Sequence, residues 1–171
     1  NPAPITNNSV ADRVGLQVNP GQNITLVGGN LDFNGGKIFA PGGTVNLGSL
    51  GAAGTVRFNE NGSLTFPDGV QRGEITLKNG ATVNVRAGGG GFIHVNAKNL
   101  TLSEGSELFA GIEENQGSPD AVGGDITIDA TDTVKLIGSP TEYTKPEDPN
   151  QPEESKKQIN EGLAIEKSQG T

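Results

Sequence analysis

His94 is the single histidine of the 171-residue chain, and there is no cysteine to join it. General acid–base work needs a second titratable group within hydrogen-bond reach, and zinc needs several His, Cys or carboxylate ligands. His94 lies between Ile93 and Val95, so an alternating strand turns it outward to solvent. Asp125, Asp129 and Asp132 come nearer to a constellation, because Asp125 and Asp129 share one strand face with Thr127. Such a set can hold calcium or form an acid/base pair for glycoside chemistry. Neither an Asp-x-Asp-x-Asp-Gly loop nor a Gly-Gly-x-Gly-x-Asp nonapeptide accompanies it, so a polar outer face followed by a turn is the simpler account. Arg57 and Arg86 also point outward from strand patterns, with no basic cluster around them. The run Gly88 to Gly91 lacks both the Gly-x-Gly-x-x-Gly spacing and the Lys-Ser/Thr of a phosphate loop, and reads as a corner. Asn-x-Ser/Thr triplets begin at Asn7, Asn23, Asn61 and Asn99, and act as glycan acceptors only in a eukaryotic secretory setting. No catalytic, cofactor-binding or metal-ligating residue is therefore assigned, and no cofactor is expected.

The elements that would position these residues are short strands. Gly91-Phe92-Ile93-His94-Val95-Asn96-Ala97 alternates apolar and polar residues, and Gly124-Asp125-Ile126-Thr127-Ile128-Asp129-Ala130 repeats the pattern. Related units are Gly43-Thr44-Val45-Asn46-Leu47, Gly54-Thr55-Val56-Arg57-Phe58, Gly62-Ser63-Leu64-Thr65-Phe66 and Gly73-Glu74-Ile75-Thr76-Leu77, with Ile24-Thr25-Leu26 a near copy. One such unit cannot bury its apolar face alone, whereas stacked copies can. The expected fold is all-β, a parallel β-helix (solenoid) of about five to six coils. A sandwich also has short strands at close spacing, but the uneven inserts between repeats favour the solenoid.

In chain order, residues 1–20 read as an extended lead-in segment and residues 21–138 as the coils. A first circuit takes Ile24–Val27, Leu31–Phe33 and Lys37–Ala40, with corners at Gly28-Gly29-Asn30 and Asn34-Gly35-Gly36. The second is expected to use Val45-Asn46-Leu47, Val56-Arg57-Phe58 and Leu64-Thr65-Phe66. The third uses Ile75–Lys78 and Ala81–Val85. Ile93–Val95, Leu100–Leu102 and Leu108–Ala110 make the fourth, and Ile126–Ile128 with Val134–Ile137 the fifth. Glu113 to Val122 reads as a surface loop, residues 139–160 as a Pro/Glu/Lys-rich surface loop, and residues 161–171 as the start of a further coil. Repeated Asn at the turns suits side-chain ladders between coils. Cut coil ends would expose strand edges and apolar cross-sections, so end-to-end association with a neighbouring chain is expected.

A net charge of −8 argues against nucleic acid and anionic membrane as partners. Zero Cys excludes disulfides and thiol chemistry. A chain without Met reads as a processed or excised piece, so a signal peptide could have been lost with the missing start.

The segments Asn1-Pro2-Ala3-Pro4-Ile5, Gly15-Leu16-Gln17-Val18, Leu26-Val27-Gly28-Gly29-Asn30-Leu31, Gly36 to Gly43 and Gly123 to Ala130 together resemble the filamentous-haemagglutinin-like exoproteins of cyanobacteria. The resemblance covers Asn1 to about Gly138 and is specific to a fold and lineage more than to an activity. It implies a right-handed parallel β-helix, exported by the two-partner route through an outer-membrane partner transporter, and secreted to the cell surface of a Gram-negative-type bacterium. It also implies that the chain is the start of the rod just after the secretion domain, with nothing assignable to transporter recognition. The function expected on this basis is a non-catalytic structural and adhesive segment of a large adhesin, its ligand an unknown surface glycan or protein. The alternatives are a carbohydrate-active enzyme on the same scaffold, or a passive stalk displaying a distal effector domain.

Overall fold

The computed structural model describes residues 1–138; the two expectations for residues 139–160 and 161–171 lie outside the described residues. The strands are β1 (Ile5–Asn7), β2 (Leu16–Gln17), β3 (Ile24–Gly28), β4 (Leu31–Asn34), β5 (Lys37–Phe39), β6 (Thr44–Ser49), β7 (Arg57–Phe58), β8 (Leu64–Thr65), β9 (Glu74–Lys78), β10 (Thr82–Asn84), β11 (Phe92–Leu102), β12 (Glu107–Phe109) and β13 (Ile126–Leu136). Among the described residues the sole helical element is a 3-10 turn at Ala11–Arg13.

The chain is a parallel β-helix, and its register defines three sides. On the first side, β3, β6 and the first halves of β11 and β13 stack in parallel. On the second, the order is β1, β4, β9 and the second halves of β11 and β13. The third carries β2, β5, β10 and β12. The chain visits the sides in fixed rotation, which is why every one of these pairs is parallel. β11 and β13 each turn a corner without a break, and their mutual register shifts there, between Ala97 and Asn99.

Alternation places one residue type at the same height in each coil. Ile5, Leu31, Ile75, Leu100 and Val134 form one aliphatic row on the second side. Ile24, Val45, Ile93 and Ile126, with Leu26, Leu47, Val95 and Ile128, form two rows on the first. Leu16, Ile38, Val83 and Leu108 face them from the third side. The middle coils supply the fully buried members, among them Phe33, Leu47, Ile75 and Val83 at 0% exposure. On the last described rung the inward residues Ile126, Ile128, Val134 and Leu136 are exposed.

Residues 1–20 differ from the expected lead-in. β1 and β2 are already rungs, hydrogen-bonded in parallel to β4 and β5. Asn7 stands at the top of the row that continues as Phe33, Leu77 and Leu102, and is itself buried. Its Nδ2 donates to the Lys37 carbonyl (3.3 Å) and its Oδ1 accepts from the Ser9 N–H (2.9 Å), so it is a polar cap on the aliphatic row.

The second circuit also needs correcting. β7 and β8 pair antiparallel, Arg57 with Thr65 and Phe58 with Leu64, and belong to none of the three sides. Residues 51–72 leave the stack after β6 and return to it at β9, with their ends closed by Gly51 N–H to Gln71 O (2.8 Å) and Gly73 N–H to Ser49 O (3.0 Å). The excursion folds over the outer surface of the first side. A Cβ on Gly48 would meet Phe66 at 2.8 Å and Leu64 at 3.4 Å. This cover explains why every residue of β6 is buried, on both faces of the strand. The coil after β6 is completed by β9 and β10.

Glycine serves the coil corners in two ways: Gly35, Gly42 and Gly80 hold the expected left-handed conformation (φ 69°, 67° and 69°), while others stand where no side chain fits. Gly43 and Gly36 are not at positive φ, yet a Cβ on Gly43 would lie 1.9 Å from the Gln22 carbonyl oxygen, and one on Gly36 2.0 Å from that of Asn7. At these corners one coil's backbone rests directly on the next, leaving no volume for a side chain.

Candidate functional site

The structure disperses the residues that the sequence singled out. His94 projects from the first side in register with Asn46 and Thr127, half-buried, its ring stacked parallel to that of Phe92 with centroids 6.4 Å apart. Asp125, Asp129 and Asp132 are all exposed. Asp129 is held by Arg72, Nη1 to Oδ1 and Nη2 to Oδ2 both at 2.8 Å, and Arg72 Nη1 also donates to the Asp129 backbone carbonyl (2.8 Å). The hydrogen bond from Arg72 holds the Asp129 carboxyl below its ordinary pKa; desolvation opposes the shift, and the guanidinium charge adds to it. Asp132 accepts from the Thr133 hydroxyl (3.3 Å) at the corner of β13. Among the described residues no three His, Asp or Glu side chains are grouped so that they could hold a metal ion.

The arginines have different fates. Arg57 sits on the excursion hairpin and not on a coil strand. Arg86 lies over the Phe109 ring, 4.4 Å from its centroid, with its Nε 3.3 Å from Glu113 Oε2. The Glu113 to Val122 segment is a connection between β12 and β13, as expected, and that ion pair ties it to the coil beneath.

The asparagines of the triplets accept from backbone N–H groups. Asn23 Oδ1 accepts from the Thr44 N–H (2.8 Å), Asn99 Oδ1 from the Thr133 N–H (2.9 Å) and Asn61 Oδ1 from the Ser63 N–H (3.1 Å). Asn30 does the same for the Glu74 N–H (3.0 Å), and Asn34 accepts from the Asn79 amide. Coil-to-coil side-chain bonds thus exist at the corners, mostly from a backbone N–H to an amide oxygen rather than as ladders of like residues.

The concave surface with the most chemistry lies outside the third side. Arg13, Lys37, Phe39, Thr82, Asn84 and Phe109 line a groove of about 280 Å³. Phe39, Asn84 and Phe109 stand in register on β5, β10 and β12, and Lys37, Thr82 and Glu107 form the parallel row beside them. Asn84 Oδ1 accepts from the Arg86 N–H (2.9 Å). Arg13 comes from the turn before β2, where Asp12 and Arg13 both hold positive φ (47° and 65°), a conformation costly for non-glycine residues. Sequence reading missed this groove, because Phe39 and Phe109 pass for core residues until the inward Ile38 and Leu108 are placed.

Residues 1–95 match the family model of the TPS secretion domain. No curated protein and no solved structure matches the chain. The match overturns the expectation that this segment follows the secretion domain: the coils from β1 to the first half of β11 are that domain. Interaction with an outer-membrane partner transporter during export, and secretion across the outer membrane of a Gram-negative-type cell, go with the match. A stack of parallel coils whose first 95 residues carry this domain belongs to the two-partner secretion exoprotein family.

Proposed function

We propose that the chain is a non-catalytic structural and adhesive segment of a large cell-surface β-helix protein of filamentous-haemagglutinin-like, cyanobacterial type. The observation that carries the reading is the continuity of the stack past the matched residues. β11, β12 and β13 extend the secretion domain without a change of architecture, each coil seated on the one before. Backbone ladders and the aliphatic rows give stiffness along the stack, while the outer rows and the 51–72 excursion offer surface for contact. The carboxylates considered for catalysis support a non-enzymatic role: Arg72 occupies both oxygens of Asp129, and Asp125 and Asp132 stand apart from it in exposed positions.

The test is co-expression with and without a partner transporter, followed by a cell-attachment assay on the purified fragment. Transporter-dependent release together with attachment supports the proposal. Release without attachment assigns the segment to a passive spacer, and hydrolysis of a glycan panel would replace the proposal with an enzyme.

A further inference from the structure

The groove on the third side has a composition that the structural role of a coil does not require. The inward residues of β5, β10 and β12 already supply the core, yet Phe39 and Phe109 are turned outward, half-buried, with Asn84 between them. Two rungs separate the rings, roughly 10 Å along the stack. The amide nitrogen of Asn84 has no partner among the described residues, its oxygen being used by the Arg86 N–H. At one end stand Lys37 and Arg13, neither paired with a carboxylate among the described residues, in a chain of net charge −8. Glu107 closes the row at the opposite end, two rungs from Lys37. The groove therefore has an apolar ring face at Phe39, an amide donor at mid-length and a cationic end, while the Arg86 guanidinium covers a face of Phe109.

We propose that this groove binds an anionic oligosaccharide, a sugar ring laid on Phe39 and a carboxylate directed to Lys37 and Arg13. The backbone groups of β10 are paired on both sides in the ladder, so an extended peptide finds no strand to join there. A sugar chain needs none: a C–H face packs on the Phe39 ring, its hydroxyls accept from the Asn84 amide, and its charge meets the two cations. The proposal rests on the adhesive reading and gives it a ligand class.

The test is amide chemical-shift mapping of the full chain with an oligogalacturonate, a neutral maltooligosaccharide of similar length and an oligoglutamate of similar charge. Oligogalacturonate is expected to shift residues of β5, β10 and β12, with little response to the other two probes. Lys37→Gln, a surface change that spares the core, should weaken binding by about tenfold. Phe39→Leu should also weaken it, and Lys98→Gln, an exposed cation elsewhere, should not. No shifts, equal response to oligoglutamate, or indifference to Lys37→Gln would overturn the proposal. A fragment that attaches to cells but ignores oligogalacturonate leaves adhesion standing and removes the groove as its cause.

Discussion

Arg72, at the end of the 51–72 excursion, chelates Asp129 on the last described rung with two 2.8 Å contacts, while its guanidinium lies 5.1 Å from the centre of the Phe66 ring. Arg72 belongs to the matched secretion domain and Asp129 lies beyond it, so the excursion fastens the following coil to the domain. The Arg72 side chain is 10% exposed and that of Asp129 56%, which places the pair at the edge of solvent.

Because folding lowers the Asp129 pKa, the pair contributes stability at pH above the ordinary carboxylate range and loses it as pH falls through the depressed value. Asp129→Asn should lower stability at pH 7 by at most about 1 kcal/mol, given the exposure of the carboxylate. Denaturant titrations of the two proteins should converge in acid. An equal gap at pH 7 and at pH 3 would contradict this account of the pair.

Ile75 lies mid-row between Leu31 and Leu100 and is fully buried. Ile75→Ala should cost about 2–5 kcal/mol. Phe58, 63% exposed on the hairpin, should cost within about 0.5 kcal/mol as Phe58→Ala. Urea midpoints measured side by side check the ranking.

Gly43 and Gly80 illustrate two distinct uses of glycine. Gly80 has φ +69° with open space around it, so Gly80→Ala should cost about 1–2 kcal/mol of backbone strain. Gly43 has an ordinary φ but no space against Gln22, so its Ala variant must push adjacent coils apart and should lose more. Thermal midpoints in the reverse order would disprove the contact argument.

Joining Leu50 to Gly73 through a short Gly linker should leave the coil stack folded, since the ends of the excursion already meet at Gly51 and Gln71. The cost should fall on the first side, where Asn46 donates to the Gly62 carbonyl (2.7 Å) and would be uncovered. Retained β circular dichroism with faster amide exchange in β6 is the expected result.

The coil strands were readable because period-2 alternation and corner glycines both reflect the stacking itself. The excursion was not. Val56-Arg57-Phe58 and Leu64-Thr65-Phe66 obey the same alternation as true rungs, and that pattern says one face is buried without saying which surface buries it. Leu64 and Phe66 pack on the outside of the first side, near Gly48, and so mimic inward residues. Asn46, polar and outward-facing by its place in the alternation, is buried for the same reason. The rungs β1 and β2 were missed because strands of three and two residues carry too little pattern to register. The groove escaped notice because its residues come together only once Arg13, Lys37, Asn84 and Phe109 are wound onto one side.

Parallel in-register stacking underlies every statement above, and the absence of natural cysteine makes it directly measurable. Thr76 and Thr101 are register partners on β9 and β11. In the Thr76→Cys/Thr101→Cys double variant the Cα separation of adjacent strands falls within the roughly 4.4–6.8 Å that a disulfide tolerates, and mild oxidation should form the bond. Glu74→Cys/Thr101→Cys, a pair that an antiparallel arrangement would bring together, should stay reduced. Mass spectrometry showing the second pair oxidised and the first reduced would contradict the parallel coil.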